Sequence, residues 1–268
     1  MAYKILAIDM DDTLLNDQRE ISQANQAALA AAQDKGVKVI ISTGRMYSSV
    51  GPYLKQLNLT GPTITYNGAL VKEAANDKTL YHHSISQADA LKVIEVVKQK
   101  DLHLNLYLND QLYVNKLESE AKYYQEIAGV KAHLIKRDLE SFLKSKQTTT
   151  KAVIVEQDLA KAENLLAEFK SMFKEKLNVF TSKSPFIEFT CQGVSKGSAL
   201  KQLAKDLAVK QEEIIAIGDS YNDLEMIDYA GLGVAVANAR EELKERADYI
   251  TSTNNQSGVA KVIEKYII

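Results

Sequence analysis

Three carboxylates, Asp9, Asp11 and Asp12, stand directly after the short apolar run Ile5-Leu6-Ala7-Ile8. Asp9 and Asp11 are two apart, so on an extended segment their side chains point the same way. Crowding carboxylates at the end of a buried strand is costly unless a cation or a ligand stands between them. Further along the chain are Thr43-Gly44, Lys196, and Asp219 with Asn222 and Asp223. Each of these follows an apolar run or opens a helical segment. Moving a phosphoryl group requires a nucleophile, a counter-charge, donors for the non-bridging oxygens and an acid for the leaving group. The residue types at these positions cover all four needs.

Asp9 is the expected nucleophile, forming an aspartyl-phosphate that divides a hydrolysis into two easier steps. Attack by a carboxylate on a phosphate dianion is repulsive. At about 4 Å and an effective dielectric of about 20, each pair of unit charges costs about 4 kcal/mol. A divalent cation and Lys196 must offset that cost, and hard oxygen ligands in six-fold geometry point to Mg2+. Asp9, the backbone carbonyl of Asp11, and Asp219 are the expected metal ligands. Asp223 is expected behind them, orienting water or holding Lys196. Met10, Thr43, Gly44, Lys196 and Asn222 are expected to bind the phosphate, Gly44 because backbone must come close to the ligand there. Asp11 is expected to protonate the departing alkoxide and then to take a proton from the attacking water.

The elements that must carry these groups alternate as strand and helix. Ile5–Ile8 reads as a strand buried on both faces of a parallel sheet. Ser22 caps a helix over Gln23–Lys35, stopped at Gly36. Val37–Ile41 is the next buried strand, completing a βαβ unit. A helix is expected over Tyr47–Leu57, with Pro52 tolerable only near its start. Thr63–Tyr66 is a third strand, closed by the turn pair Asn67-Gly68.

From about Leu80 the pattern changes. A strand over Thr79–Ile85 and a helix from Ser86 to Lys100 precede a hairpin of Leu102–Leu108 and Gln111–Asn115. Helices follow over Glu118–Ile127 and Asp138–Lys144. Thr150–Glu156 alternates as a half-exposed strand should. A helix over Leu159–Glu175 leads to two strands, Asn178–Ser182 and Phe186–Thr190. This mixture is that of an α+β unit with an antiparallel sheet. The βα rhythm then returns with a helix over Lys196–Leu207 and a strand over Glu213–Gly218. It continues with a helix over Tyr221–Ala230, a strand over Leu232–Val236, a helix over Arg240–Arg246, a strand at Tyr249-Ile250 and a helix over Val259–Tyr266. The expected fold class is α/β, a doubly wound, Rossmann-like parallel sheet formed by residues 1–82 and 189–268, with an α+β domain inserted at 83–188.

Other residues invite chemistry and are given bland roles. His82 and His83 are adjacent in a strand and point to opposite faces, which disfavours shared ligation. Tyr107, Tyr113, Tyr123 and Tyr124 are expected as core of the inserted domain, and the lone Cys191 as a small buried filler. The 268 residues carry 33 basic and 35 acidic side chains, a net charge of −2. That balance gives no reason to expect nucleic acid or an anionic membrane as partner. No apolar run approaches the length of a membrane span. A single cysteine and a first strand that begins almost at once fit a cytoplasmic protein, and no apolar stripe remains to specify an oligomeric state.

The motifs DMDDT, STGR, GVSKG and GDSYND resemble, in order and position, the four motifs of the haloacid dehalogenase-like superfamily. The position of the insertion and the segment Tyr66-Asn67-Gly68-Ala69 are similar to those of its Cof-type phosphatases. The one departure is Asp12, where Gly is more usual. The resemblance implies a Mg2+-dependent phosphatase acting on sugar phosphates or similar small phosphorylated metabolites, with the inserted domain as a cap that excludes water and selects the leaving group. A phosphomutase would need the same aspartyl-phosphate. A phospho-receiver would use one as a signal, but receivers are smaller and have no general acid two residues past the acceptor.

Overall fold

The computed structural model describes residues 2–146, 148–181 and 186–268. The chain begins with strand β1 (Ile5–Ile8), helix α1 (Gln23–Asp34), β2 (Lys38–Ile41), α2 (Tyr47–Gln56), β3 (Pro62–Thr65), β4 (Leu70–Glu73) and β5 (Thr79–His82). It continues with α3 (Gln87–Gln99), β6 (His103–Leu108), β7 (Gln111–Val114), α4 (Ser119–Ala128), β8 (Ala132–Leu134), α5 (Leu139–Lys146), β9 (Lys151–Val155), α6 (Leu159–Phe173), β10 (Leu177–Phe180) and β11 (Phe186–Cys191). It closes with α7 (Lys196–Asp206), β12 (Ile214–Gly218), α8 (Leu224–Tyr229), β13 (Leu232–Ala235), α9 (Glu241–Arg246), β14 (Tyr249–Ile250) and α10 (Gly258–Tyr266). Two units result. The first comprises Met1–Gly44, Gly51–Tyr81 and Ser195–Ile268, and the second Arg45–Val50 and His82–Val194.

In the first unit five parallel strands lie in the order β14-β13-β12-β1-β2. β1 and β12 are buried at every residue, as central strands covered on both faces must be. The chain moves from β1 to β2 in one direction and from β12 through β13 to β14 in the other. Right-handed crossovers then place α1 and α8 on opposite faces. The order reverses between β1 and β12, and at such a switch point an open sheet leaves a crevice beyond its strand ends. β3 extends the sheet edge through a parallel bridge between Ser42 and Ile64, then pairs antiparallel with β4.

The second unit is a six-stranded sheet in the order β10-β11-β9-β6-β7-β8, antiparallel except for the last pair. One face packs Leu104, Leu106, Ile154, Ile187 and Phe189 against Val93, Leu143 and Phe169 of the helices. Tyr107 and Tyr124 are buried with their hydroxyls 2.6 Å apart, while Tyr113 is half-buried and Tyr123 is exposed. His82 Nε2 lies 2.8 Å from Thr150 Oγ1.

Several local expectations are corrected. Pro52 is the sixth residue of α2, not near its start; its ring fits helical φ and costs the helix one bond to the Ser48 carbonyl. The strand over 150–156 is buried at every residue of β9. Lys151 survives there because its ammonium pairs with Glu188 at 2.6 Å. The Asn67-Gly68 turn does close β3: Tyr66–Gly68 form a single tight turn with all three φ values positive, and the chain returns antiparallel in β4. Cys191 is half-buried, the last residue of β11 and paired with Leu177 of β10. The boundary drawn at 188/189 falls inside β11, and Ser182 lies outside the described residues. β4 and β8 were not anticipated.

Candidate active site

The site is built where the sheet of the first unit reverses. β1 ends at Ile8, and Asp9 follows with its amide still donating to the Ile217 carbonyl of β12 at 2.9 Å. The chain then turns sharply. Met10–Leu14 form one wide helical turn, closed by the Leu15 amide on the Met10 carbonyl, with Asp11 extended and Asp12 left-handed at φ 58°. This turn leaves Asp9, Met10 and Thr13 buried and Asp11 exposed. Asp12 can stand here because aspartate is among the few residues that adopt this backbone readily.

Lys196 opens α7, whose first turn is fixed by Ser195 in a reciprocal cap with Ser198. Its ammonium is fully buried and donates both to Asp9 Oδ1 and, at 2.7 Å, to Asp223 Oδ1. The other oxygen of Asp223 accepts from the Asp219 and Ser220 amides, each at 3.1 Å. Asp223 can fold back this way because residue 218 is glycine: a Cβ there would lie 2.6 Å from Asp223 Cβ. Asp219 accepts from the Thr13 hydroxyl at 3.3 Å. Carboxylate oxygens of Asp9, Asp219 and Asp223 all lie within 4.8 Å of one another.

Three carboxylates against one ammonium leave the cluster short of positive charge. Burial pushes the Asp9 carboxyl well above the usual carboxylate range, and Asp223 and Asp219 add to it against the pull of Lys196. Burial and then Asp223 push Asp219 up to about 7. Burial alone would lower the Lys196 ammonium, but Asp223 and Asp9 outweigh it and hold it above its ordinary value. A hard, all-oxygen donor set with surplus negative charge suits a divalent cation. The donor set therefore fits a metal ion held by Asp9 and Asp219, with Asp223 within reach as well as holding Lys196. The Asp11 side chain lies outside this trio.

Thr43 is buried, its amide donating to the Ile64 carbonyl at 2.9 Å and its carbonyl accepting from the Asn67 amide at 3.0 Å. Asn222 donates through Nδ2 to Asn67 Oδ1 at 2.9 Å. Two residues of this neighbourhood carried no assigned role: Thr13, which steadies Asp219, and Asn67. Thr13 was visible as the last residue of DMDDT. Asn67 reads as half of a turn pair and as part of the segment Tyr66-Asn67-Gly68-Ala69 that carries the Cof-type resemblance, with no site role.

The profile of the haloacid dehalogenase-like hydrolase family matches residues 6–263. Among curated proteins, the Bacillus subtilis phosphatase YwpJ is 31% identical over 97% of this chain and 99% of its own. The 5-amino-6-(5-phospho-D-ribitylamino)uracil phosphatase YcsE of the same organism is 33% identical over 99% and 96%. Among solved structures, TM0651 from Thermotoga maritima superposes with a TM-score of 0.89 at 34% identity, over 98% of this chain and 97% of its own. A haloacid dehalogenase-like hydrolase from Bacteroides thetaiotaomicron does so with a TM-score of 0.89 at 30% identity, over 98% and 99%. The chain belongs to the haloacid dehalogenase-like hydrolases, in their Cof-type branch, and is a phosphatase.

Proposed function

We propose that this protein is a Mg2+-dependent hydrolase of small phosphomonoesters, sugar phosphates or related metabolites, working through an aspartyl-phosphate on Asp9. The observation that carries the reading is the buried Lys196 ammonium shared by Asp9 and Asp223, with Asp219 beside them. Lys196 orients one Asp9 oxygen and supplies positive charge where a phosphate dianion must approach. The other Asp9 oxygen is then free of that bond to attack phosphorus. Asp9, Asp219 and the Asp11 carbonyl would hold Mg2+, which lowers the repulsion between nucleophile and phosphate when bound.

Thr43, the Gly44 and Met10 amides, Lys196 and Asn222 bind the phosphoryl oxygens in this reading. Asp11, exposed beside the nucleophile, gives a proton to the leaving alkoxide. It then takes one from the water that attacks the aspartyl-phosphate, and inorganic phosphate leaves. The choice of substrate class is supported by relatives such as YcsE, whose name specifies a small phosphorylated metabolite. A screen of phosphorylated metabolites with Mg2+ should rank sugar and alditol phosphates highest by kcat/KM. Asp9→Asn should abolish turnover of the best of them while the protein stays folded; substantial residual turnover refutes the nucleophile assignment.

A further inference from the structure

Asn67 is 95% buried, has a left-handed backbone at φ 54°, and keeps a side-chain Nδ2 with no hydrogen-bond partner among the described residues. Each of these is costly, and the three coincide at one residue. Its surroundings are equally particular. Its amide donates to the Thr43 carbonyl, and its Oδ1 accepts from Asn222. A Cβ on Gly44 would come within 3.0 Å of that Oδ1 and 3.3 Å of Nδ2, so the carboxamide lies directly against the Gly44 backbone. The next residue, Gly68, has φ +98°, and a Cβ there would lie 2.2 Å from the Ser195 carbonyl. The turn is therefore pressed against the residue that starts the Lys196 helix. One short turn thus touches the three segments that carry Thr43-Gly44, Lys196 and Asn222.

A buried amide donor left open among phosphate donors has an evident partner in the phosphate itself. We propose that Asn67 is a phosphoryl-binding residue: Nδ2 donates to an oxygen of the bound phosphoryl group while Oδ1 holds Asn222 in place. This rests on the phosphatase reading of the same rim. The left-handed backbone is what brings the carboxamide between Gly44 and Asn222, and asparagine is the residue that both tolerates that conformation and carries the donor.

The test separates donating from bracing. Glycine accepts the left-handed backbone, so Asn67→Gly removes the carboxamide with the least backbone strain. In holoenzyme with Mg2+, the inhibition constant of inorganic phosphate is measured for wild type, Asn67→Gly, Asn222→Ala and the double variant. Losing one hydrogen bond to a charged group predicts a rise of about 10- to 100-fold for Asn67→Gly. The same substitution must still weaken phosphate binding by about 10-fold in the Asn222→Ala background, where nothing remains to brace. No effect in that background means that Asn67 only supports Asn222, and overturns the proposal. A second measurement uses the intact wild-type protein, with 15N-labelled asparagine. Phosphate must shift the Asn67 side-chain amide resonance, and an unmoved resonance overturns the proposal even if the variants fail to fold. If wild type releases no phosphate from any ester, the phosphatase mechanism fails separately, while the titration still decides the role of Asn67.

Discussion

The carboxylate cluster makes a prediction about stability against pH that has an unusual sign. In the metal-free protein, burial and Asp223 lift Asp219 from its ordinary 3.8 to about 7. A carboxyl raised on folding holds its proton more tightly in the folded chain. Its contribution to stability is fully present below the unfolded value and is lost as pH rises through the folded one. Raising one carboxyl from 3.8 to about 7 corresponds to about 4 kcal/mol, about half of it lost between about pH 5 and pH 7. Asp9 moves in the same direction. The metal-free protein should therefore lose stability across a range where most proteins hold or gain it. For a chain of this size the loss is a fall in Tm of about 5–10 °C. A divalent cation favours the ionised carboxylates and competes with their protons, so Mg2+ should stabilise more at pH 7.5 than at pH 5 and flatten the profile. The assay is thermal unfolding at a series of pH values in chelator and in millimolar Mg2+. A metal-free Tm that is level or rises from pH 5 to pH 7.5, or a Mg2+ effect independent of pH, would refute the reasoning.

Further consequences follow from the same contacts. Lys196→Met leaves Asp9 and Asp223 buried without their shared ammonium. It should cost about 3–5 kcal/mol in urea unfolding without metal and lower kcat by about 100-fold or more. Gly218→Ala places a Cβ 2.6 Å from Asp223 Cβ, pushing Asp223 off Lys196. It should lower kcat by about 100-fold through misplacement alone, with a weaker Mg2+ affinity by titration calorimetry.

Much of the first unit was legible because its signals are local. Ile5–Ile8 and Ile214–Gly218 are continuous apolar runs, and strands buried on both faces need such runs. Caps are legible in both units: Ser22 in the first, Ser86 and Asp158 in the second, and each accepts a hydrogen bond from the third residue of its helix. Asp9, Asp219 and Asp223 were placed together because each follows such a strand or opens the next helix.

What escaped depends on distant partners. Leu70–Glu73 and Ala132–Leu134 are too short to show a period, and exist as strands only because β3 and β7 offer edges to them. β9 reads as alternating because Lys151 looks solvent-facing, and only Glu188, 37 residues on, accounts for its burial. Asn67 reads as a turn residue because an Asn-Gly pair ordinarily is one, and it does lie in the turn between β3 and β4, but that reading gives it no place in the site. Its contact with Asn222 spans 155 positions and no local pattern announces it.

The mechanism stands or falls on where phosphorus goes. Asp11→Asn keeps the nucleophile and loses the base that helps water, so with p-nitrophenyl phosphate, whose leaving group needs little help from an acid, the phosphorylated protein should accumulate. Acid quenching followed by peptide mass spectrometry should find one phosphoryl group, on Asp9, appearing with a burst of p-nitrophenolate and absent in Asp9→Asn. Turnover with no phosphorylated protein, or a phosphoryl group on any other residue, would contradict the account.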